Sequence, residues 1–191
     1  SWRRAWHTKL PFLFVQLAPF DRWMALDGKA FPEIRCMQER VSHTVPDCWM
    51  TCAMDVGMKY DIHPKEKRTI GHRLALLALD KVYGLPHLSD APEFSHGERT
   101  AQGEITLRFS ACGESLYQSG NLAKLFRVHQ KAEIKRVLSA EAHGNSVALL
   151  VKDLRPGGVH ISFAEAPYER VCLYNSADIP AKPFSTFLPE S

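Results

Sequence analysis

Asp61-Ile-His-Pro64 sets a carboxylate and an imidazole two residues apart, with a proline fixing the backbone just beyond them. A carboxylate facing Nδ1 fixes the imidazole tautomer and stabilises the imidazolium as it forms, which equips His63 as general base for a hydroxyl nucleophile. Proline restricts the residue before it to extended geometry, so the His63 ring is aimed rather than free. A capping Asp61 and a surface His63 would account for the same four residues. Asp55 is a second carboxylate placed to orient the ring, held in reserve behind Asp61. The other eight histidines show no two-histidine spacing with a third ligand, so neither a metal nor another cofactor is expected.

The segments around this stretch read as a scaffold that delivers it. Residues 1–9 have the look of an amphipathic helix end, with Trp2 and Trp6 on one face. A chain that opens in mid-helix implies that its beginning has been removed. Phe12 to Ala18 is a nearly unbroken apolar run, and Trp49 to Val56 is a second; such runs form parallel strands covered on both faces. Gln16 is the polar exception in the first run, either a hydrogen-bonded core amide or a support for the catalytic loop. A loop with exposed aromatics (Phe20, Trp23) leads to a helix from Phe31 to about Val41, whose Ile34, Met37 and Val41 mark one covered face.

A further helix is expected over Lys65 to Tyr83, with Pro64 at its first position and Gly84 as its stop. That places His63 next to the N-cap, where the positive end of the helix disfavours the imidazolium. His72 and Arg73, about two turns into this helix, either face the site or, as is commoner, lie exposed. Helix, strand, helix, strand, helix implies parallel crossovers, and ligands of such sheets bind outside the carboxyl ends of the strands. Two strands do not make a stable doubly wound sheet, so further strands must come from elsewhere.

Beyond Leu85 the texture changes. Pro86 to Ala101 reads as a turn-rich linker. The segments at 105–109, 125–128, 146–151 and 159–163 then alternate polar and apolar residues between turn signals, as in an antiparallel sandwich. Cys172 to Ser191 reads as a strap returning over the fold. The fold class is therefore α/β, a partial doubly wound parallel sheet over residues 1–84, followed by a β-rich antiparallel region over 85–191.

With 191 residues, 45% hydrophobic and 24% charged, the chain has the composition of a globular protein. A net charge of +3 with scattered basic residues excludes a phosphate-tracking stripe, so no nucleic-acid partner is expected. No apolar run approaches the roughly 20 residues that span a bilayer. The five cysteines are irregularly spaced; Cys48 and Cys52 on one strand would lie about 13 Å apart, too far to bridge. Buried free thiols are the expectation.

Several segments in order resemble the C-terminal half of the sialate O-acetylesterase family, a branch of the SGNH-type serine esterases with a flavodoxin-like sheet. They are Trp2-Arg3, Leu10 to Pro19, Phe31 to Arg35 with Gln38, Ala53 to Gly57, Asp61 to Lys67, Gly71 to Leu76 and Tyr83-Gly84. Phe163 to Pro167, Leu173 to Asn175 and Ile179 to Phe184 follow, while about 85–159 matches loosely. The resemblance implies hydrolysis of O-acetyl esters of sialic acids, with a serine nucleophile and His63 as general base. It places Gln16 and Arg35 near the substrate, and it leaves the acid open among Asp61, Asp55 and a backbone carbonyl. The family's serine sits in a Gly-x-Ser-Asn type motif absent here, so the partners expected are an acetylated sugar and an N-terminal segment or second chain that carries the serine. A secreted, periplasmic or lysosomal setting goes with that substrate. Acetylxylan is the alternative substrate, and a non-catalytic carbohydrate-binding unit is the alternative of another class.

Overall fold

The computed structural model of the chain describes residues 2–100 and 104–190. Ser1, Ser191 and the last residue of the Pro86–Ala101 stretch lie outside the described residues. The first part runs through helix α1 (Trp2–Ala5), strand β1 (Phe12–Val15), a small hairpin of β2 (Arg22–Trp23) and β3 (Leu26–Asp27), helix α2 (Phe31–Thr44), strand β4 (Cys48–Thr51) and helix α3 (Lys67–Lys81). β1 and β4 lie parallel, Phe12 opposite Cys48 and Val15 opposite Thr51, with α2 as their crossover. Pro32 opens α2, and Gly84 just past α3 has a φ of 69°, a backbone state that glycine adopts without strain.

The second part contributes β5 (Glu93–Arg99), β6 (Glu104–Ser110), β7 (Tyr117–Gln118), a 3-10 turn at Leu122–Leu125, β8 (Phe126–Gln130) and β9 (Glu133–Lys135). It continues with β10 (Val137–His143), β11 (Ser146–Val151), β12 (Val159–Phe163), β13 (Leu173–Tyr174) and β14 (Phe184–Leu188). These make two four-stranded antiparallel sheets, ordered β10-β11-β6-β5 and β14-β12-β8-β9, with a short β13-β7 pair. Inward residues Ile105, Leu107 and Val147 of one sheet and Val128, Val159 and Ile161 of the other are fully buried in one core. Phe184 lies between the sheets, with Phe94 at 4.5 Å, Phe163 at 5.7 Å and Phe109 at 5.8 Å between ring centroids. Full burial of such a ring contributes about 1.5–3 kcal/mol, reached by Phe109 and Phe163 and only in part by the half-buried Phe94 and Phe184. The whole is a mixed fold, mostly antiparallel, whose parallel sheet has two strands among the described residues.

Several expectations are corrected. The second buried strand ends at Thr51 rather than Val56, because the carbonyls beyond it serve other partners. Arg73 Nη1 donates to the Cys52 carbonyl, Val171 N–H to that of Met54 and Arg170 Nε to that of Asp55. The stretch from Pro86 contains β5, and the terminal strap contains β14; pairing with β6 and β12 holds segments whose own residues give little strand signal. Phe20 is buried against Phe31, with ring centroids 5.3 Å apart, and is not an exposed loop aromatic. The α2 stripe of Ile34, Met37 and Val41 is exposed, not covered. Of the five free cysteines, Cys48, Cys52 and Cys112 are buried and Cys36 is exposed.

Arg73, expected at the surface, is buried and grips Asp55 with two hydrogen bonds of 2.7 Å. Its Nη2 also donates to the Asp178 carbonyl at 2.7 Å. Burial opposes the guanidinium charge, but the hydrogen bonds and field of Asp55 outweigh it and hold Arg73 above its ordinary value. One side chain thus ties α3 to the turn after β4 and to the C-terminal strap. Asp55→Ala leaves that guanidinium buried without its partner and lowers stability by about 3–5 kcal/mol. Urea unfolding checks it, and a loss under about 1 kcal/mol would contradict the clamp.

Candidate active site

The site stands at the carboxyl ends of β1 and β4. Gly57 lets the chain after β4 cross the chain after β1, since a Cβ there would fall 2.1 Å from the Pro19 carbonyl oxygen. Beyond the crossing, the Lys59 carbonyl accepts from the N–H groups of Asp21 and Arg22 at 3.1 and 3.2 Å. This tie brings the β2-β3 hairpin beside the 58–63 turn, which closes through a Met58–Asp61 bridge. Trp23 then meets the His63 ring edge to face, with centroids 5.3 Å apart and planes at 87°.

Asp61 and His63 come together as the spacing implied. Asp61 Oδ1 accepts from the His63 backbone N–H at 2.9 Å and lies 3.0 Å from its Nδ1. A carboxylate offers only acceptors, so Nδ1 carries a proton, and in the neutral ring Nε2 is the free acceptor. The hydrogen bonds from the His63 backbone N–H and ring hold the Asp61 carboxyl below the usual carboxylate range. The His63 side chain is 68% exposed, its ring turned outward rather than into the core. It is the carboxylate of Asp61, not its backbone carbonyl, that bonds Nδ1. Asp55 is engaged by Arg73 and does not orient His63.

Helix α3 begins at Lys67, not at Pro64, with Glu66 as its cap and no side-chain cap bond. His63 therefore precedes the helix by four residues. Asp61 spends its oxygen on the His63 N–H as a local turn, and proline keeps His63 extended, so the helix starts only once both constraints are cleared. What aims the ring is the turn and Trp23, not a helix end.

Gln16 is buried at the end of β1, where its Oε1 accepts from the Cys52 thiol at 3.4 Å and its backbone N–H donates to the Thr51 carbonyl at 2.9 Å. Burial pushes that thiol up to about 12, so Cys52 is no nucleophile. Gln16 also borders a cleft of about 270 Å³ lined by Leu17, Phe31, Ala53, Ile62 and Pro64. Ile62 and Pro64, on either side of His63 in the chain, border it too, while the His63 ring itself is not part of its lining. Arg35 is 2% exposed and donates from Nη2 to the Ala166 carbonyl at 2.8 Å, fastening α2 to the loop before Pro167. Its Nε and Nη1 are buried without a hydrogen-bond partner, and burial pulls its guanidinium below the ordinary value.

Two arrangements were not readable from spacing. Gln38 Oε1 accepts from the Leu17 N–H at 2.8 Å and its Nε2 donates to the Val15 carbonyl at 3.3 Å, an amide lying along β1. Glu39, His43 and Glu93 converge with ligand atoms within 4.8 Å of one another. Lys182 occupies that cluster, 2.6 Å from Glu39 and 2.9 Å from Glu93, and joins α2 to β5. Glu39 and His43 stand at i, i+4 on α2, but Glu93 and Lys182 come from afar, beyond any local signal.

No protein-family model matches this chain, and no curated protein does. Among solved structures it is similar to a carbohydrate acetylesterase from Xanthomonas citri, with a TM-score of 0.77 and 30% sequence identity over 97% of this chain. The chain spans 43% of that protein's length. The N-terminal part of the bacterial S-layer protein SbsC aligns at TM-score 0.45 and 13% identity, over 63% of this chain and 28% of that one. A longer SbsC structure aligns at 0.42 and 11%, over 80% and 18%. Neither SbsC alignment carries an argument. The likeness to a carbohydrate esterase holds at the level of structure. No helix among the described residues is long and apolar enough to cross a membrane.

The Asp61–His63 contact carries a pH signature. A carboxyl held below its ordinary 3.8 supports the turn fully above that value and loses it as pH falls through the lower folded value. Wild type therefore keeps a protected His63 amide above the ordinary carboxylate value and loses protection only as pH falls below it, read by NMR-detected hydrogen exchange. Asp61→Ala exchanges fast throughout, while Asp61→Asn, which keeps an oxygen acceptor, stays protected. Equal exchange in the alanine and asparagine variants would contradict this geometry.

Proposed function

We propose that this chain is part of a serine esterase that removes O-acetyl groups from carbohydrates, sialic acids first and acetylated xylan as the alternative. Residues 1–84 belong to the catalytic α/β domain, and 85–191 form the β-rich region beside it. The observation that supports the reading most is the outward-facing His63, its Nδ1 against the Asp61 carboxylate, in a chain similar to a carbohydrate acetylesterase. Sialic acid as substrate comes from the family resemblance in the sequence.

His63 Nε2 takes the proton of a serine hydroxyl as its oxygen attacks the acetyl carbonyl. Asp61 stabilises the imidazolium across 3.0 Å while the charge lasts. The imidazolium then gives its proton to the departing sugar oxygen, and the acetyl group stays on the serine as an ester. Water, activated by the same Nε2, releases acetate. Such acid–base transfer is worth about 10²–10⁴ in rate. The serine comes from a segment outside these 191 residues. Gln16 borders the cleft and steadies the end of β1, and Arg35 fixes the loop behind it, which is how each serves the substrate side of the site. A compartment outside the cytoplasm (secreted, periplasmic or lysosomal) fits sugars of this kind.

In the assembled protein, His63→Ala lowers kcat/KM for acetate release from O-acetylated sialic acid by about 10³-fold or more. Parallel assays on acetylated xylan rank the two substrates. A fluorophosphonate probe labels a serine outside this chain. Unchanged turnover in His63→Ala, or a label on one of this chain's own serines, would sink the reading; sugar binding without turnover would favour a binding unit instead.

A further inference from the structure

We propose that the outer edge of β1 and the apolar face of α2 form one docking surface for an α/β polypeptide segment that adds a parallel strand beside β1. Parallel strands occur in sheets of several members covered on both faces, and a two-stranded unit is marginal. β1 pairs with β4 alone among the described residues. The N–H groups of Phe12 and Gln16 reach the carbonyls of Asp47 and Thr51 at 2.9 Å, so by alternation Leu13, Val15 and Leu17 turn their backbone groups outward. Gln38 takes the last outward positions, the Val15 carbonyl and the Leu17 N–H, much as the end of a neighbouring strand would. Leu13 and the Val15 N–H form the edge a new strand would pair.

The helix face beside that edge is apolar and open. Ile34 is 41% exposed, Met37 51% and Val41 42%, at helical spacing that normally marks a core-facing stripe. Val45, Phe12 and Trp2 extend it around a groove of about 640 Å³. Because Gln38 lies within this stripe and touches β1, the helix face and the strand edge are one surface. An apolar surface of this extent marks an interaction site.

The occupant is argued from length and from chemistry. More than half of the Xanthomonas citri acetylesterase lies outside the match, which leaves room for the missing strands and helices. A strand laid parallel to β1 also ends beside Val15, Gln16 and Leu17, at the cleft flanked by Ile62 and Pro64. That this occupant also carries the serine rests on the esterase reading above. A second copy fits poorly, because two-fold pairing of β1 with itself is antiparallel and brings no nucleophile.

The test co-expresses this chain with the unmatched part of the Xanthomonas citri acetylesterase as a separate polypeptide. A 1:1 complex is expected by sedimentation, with the Leu13 and Val15 amides exchanging about tenfold or more slowly than in the free chain. The combined substitution Ile34→Glu, Met37→Glu and Val41→Glu, on side chains already exposed, weakens the complex by about 30-fold or more. Ile134→Glu, at an exposed site on β9, leaves it unchanged. No complex, a complex indifferent to the triple substitution, or a homodimer of the free chain that the triple substitution dissociates would each overturn the proposal. A complex that forms as described yet releases no acetate keeps the docking surface and removes the esterase reading.

Discussion

Two hydrogen bonds of 2.7 Å join Arg73 to Asp55 where neither side chain has much access to water. Charges taken out of solvent are tolerated only when each satisfies the other, and the geometry here is bidentate. The same guanidinium reaches the Cys52 and Asp178 carbonyls, so the turn after β4, helix α3 and the C-terminal strap share one anchor. Arg170 adds a second tie to the Asp55 carbonyl. The segment from Gly57 to Glu66 is strung between fixed points, β4 on one side and α3 on the other. Within it, the turn closed by Asp61 and the edge-to-face contact with Trp23 hold His63 outward.

Local signals in the chain were enough to find the imidazole and its carboxylate, because an Asx-type turn closed by proline is written in four consecutive residues. The alternating strand at Ser146–Val151 was legible for a similar reason: period-two burial is visible when both faces of a strand have distinct fates. Strand β5 was not, since Glu93–Arg99 is polar and is held by its partner β6. Arg73 misled because a lone arginine on a helix is ordinarily solvated, and its partner lies 18 residues away. The helix start misled because proline suits a first turn, while the turn at Asp61 had already claimed the backbone before it.

Among the described residues, the open stripe on α2 adjoins the unpaired edge of β1, which Gln38 touches. Ile34, Met37 and Val41 carry the pattern of a covered face, and the free edge of β1 carries the pattern of an interior strand. Both are features of a sheet that continues. In an open α/β sheet the reacting groups gather at the carboxyl ends of neighbouring strands, so a sheet that lacks strands also lacks part of its chemistry. The β-rich region is different: its two sheets close on a core that also takes in Cys52 and Met54, with Ile105, Leu107, Val159 and Phe163 fully buried. The half that presents His63 is thus the half whose parallel sheet has two strands among the described residues.

The most direct measurement is a crystal structure of the assembled protein after a phosphonate inhibitor has modified its reactive serine. The account places His63 Nε2 within about 3.2 Å of that serine's oxygen, with Nδ1 still against Asp61. A modified serine lying beyond reach of His63, or one served by a different base, would contradict it.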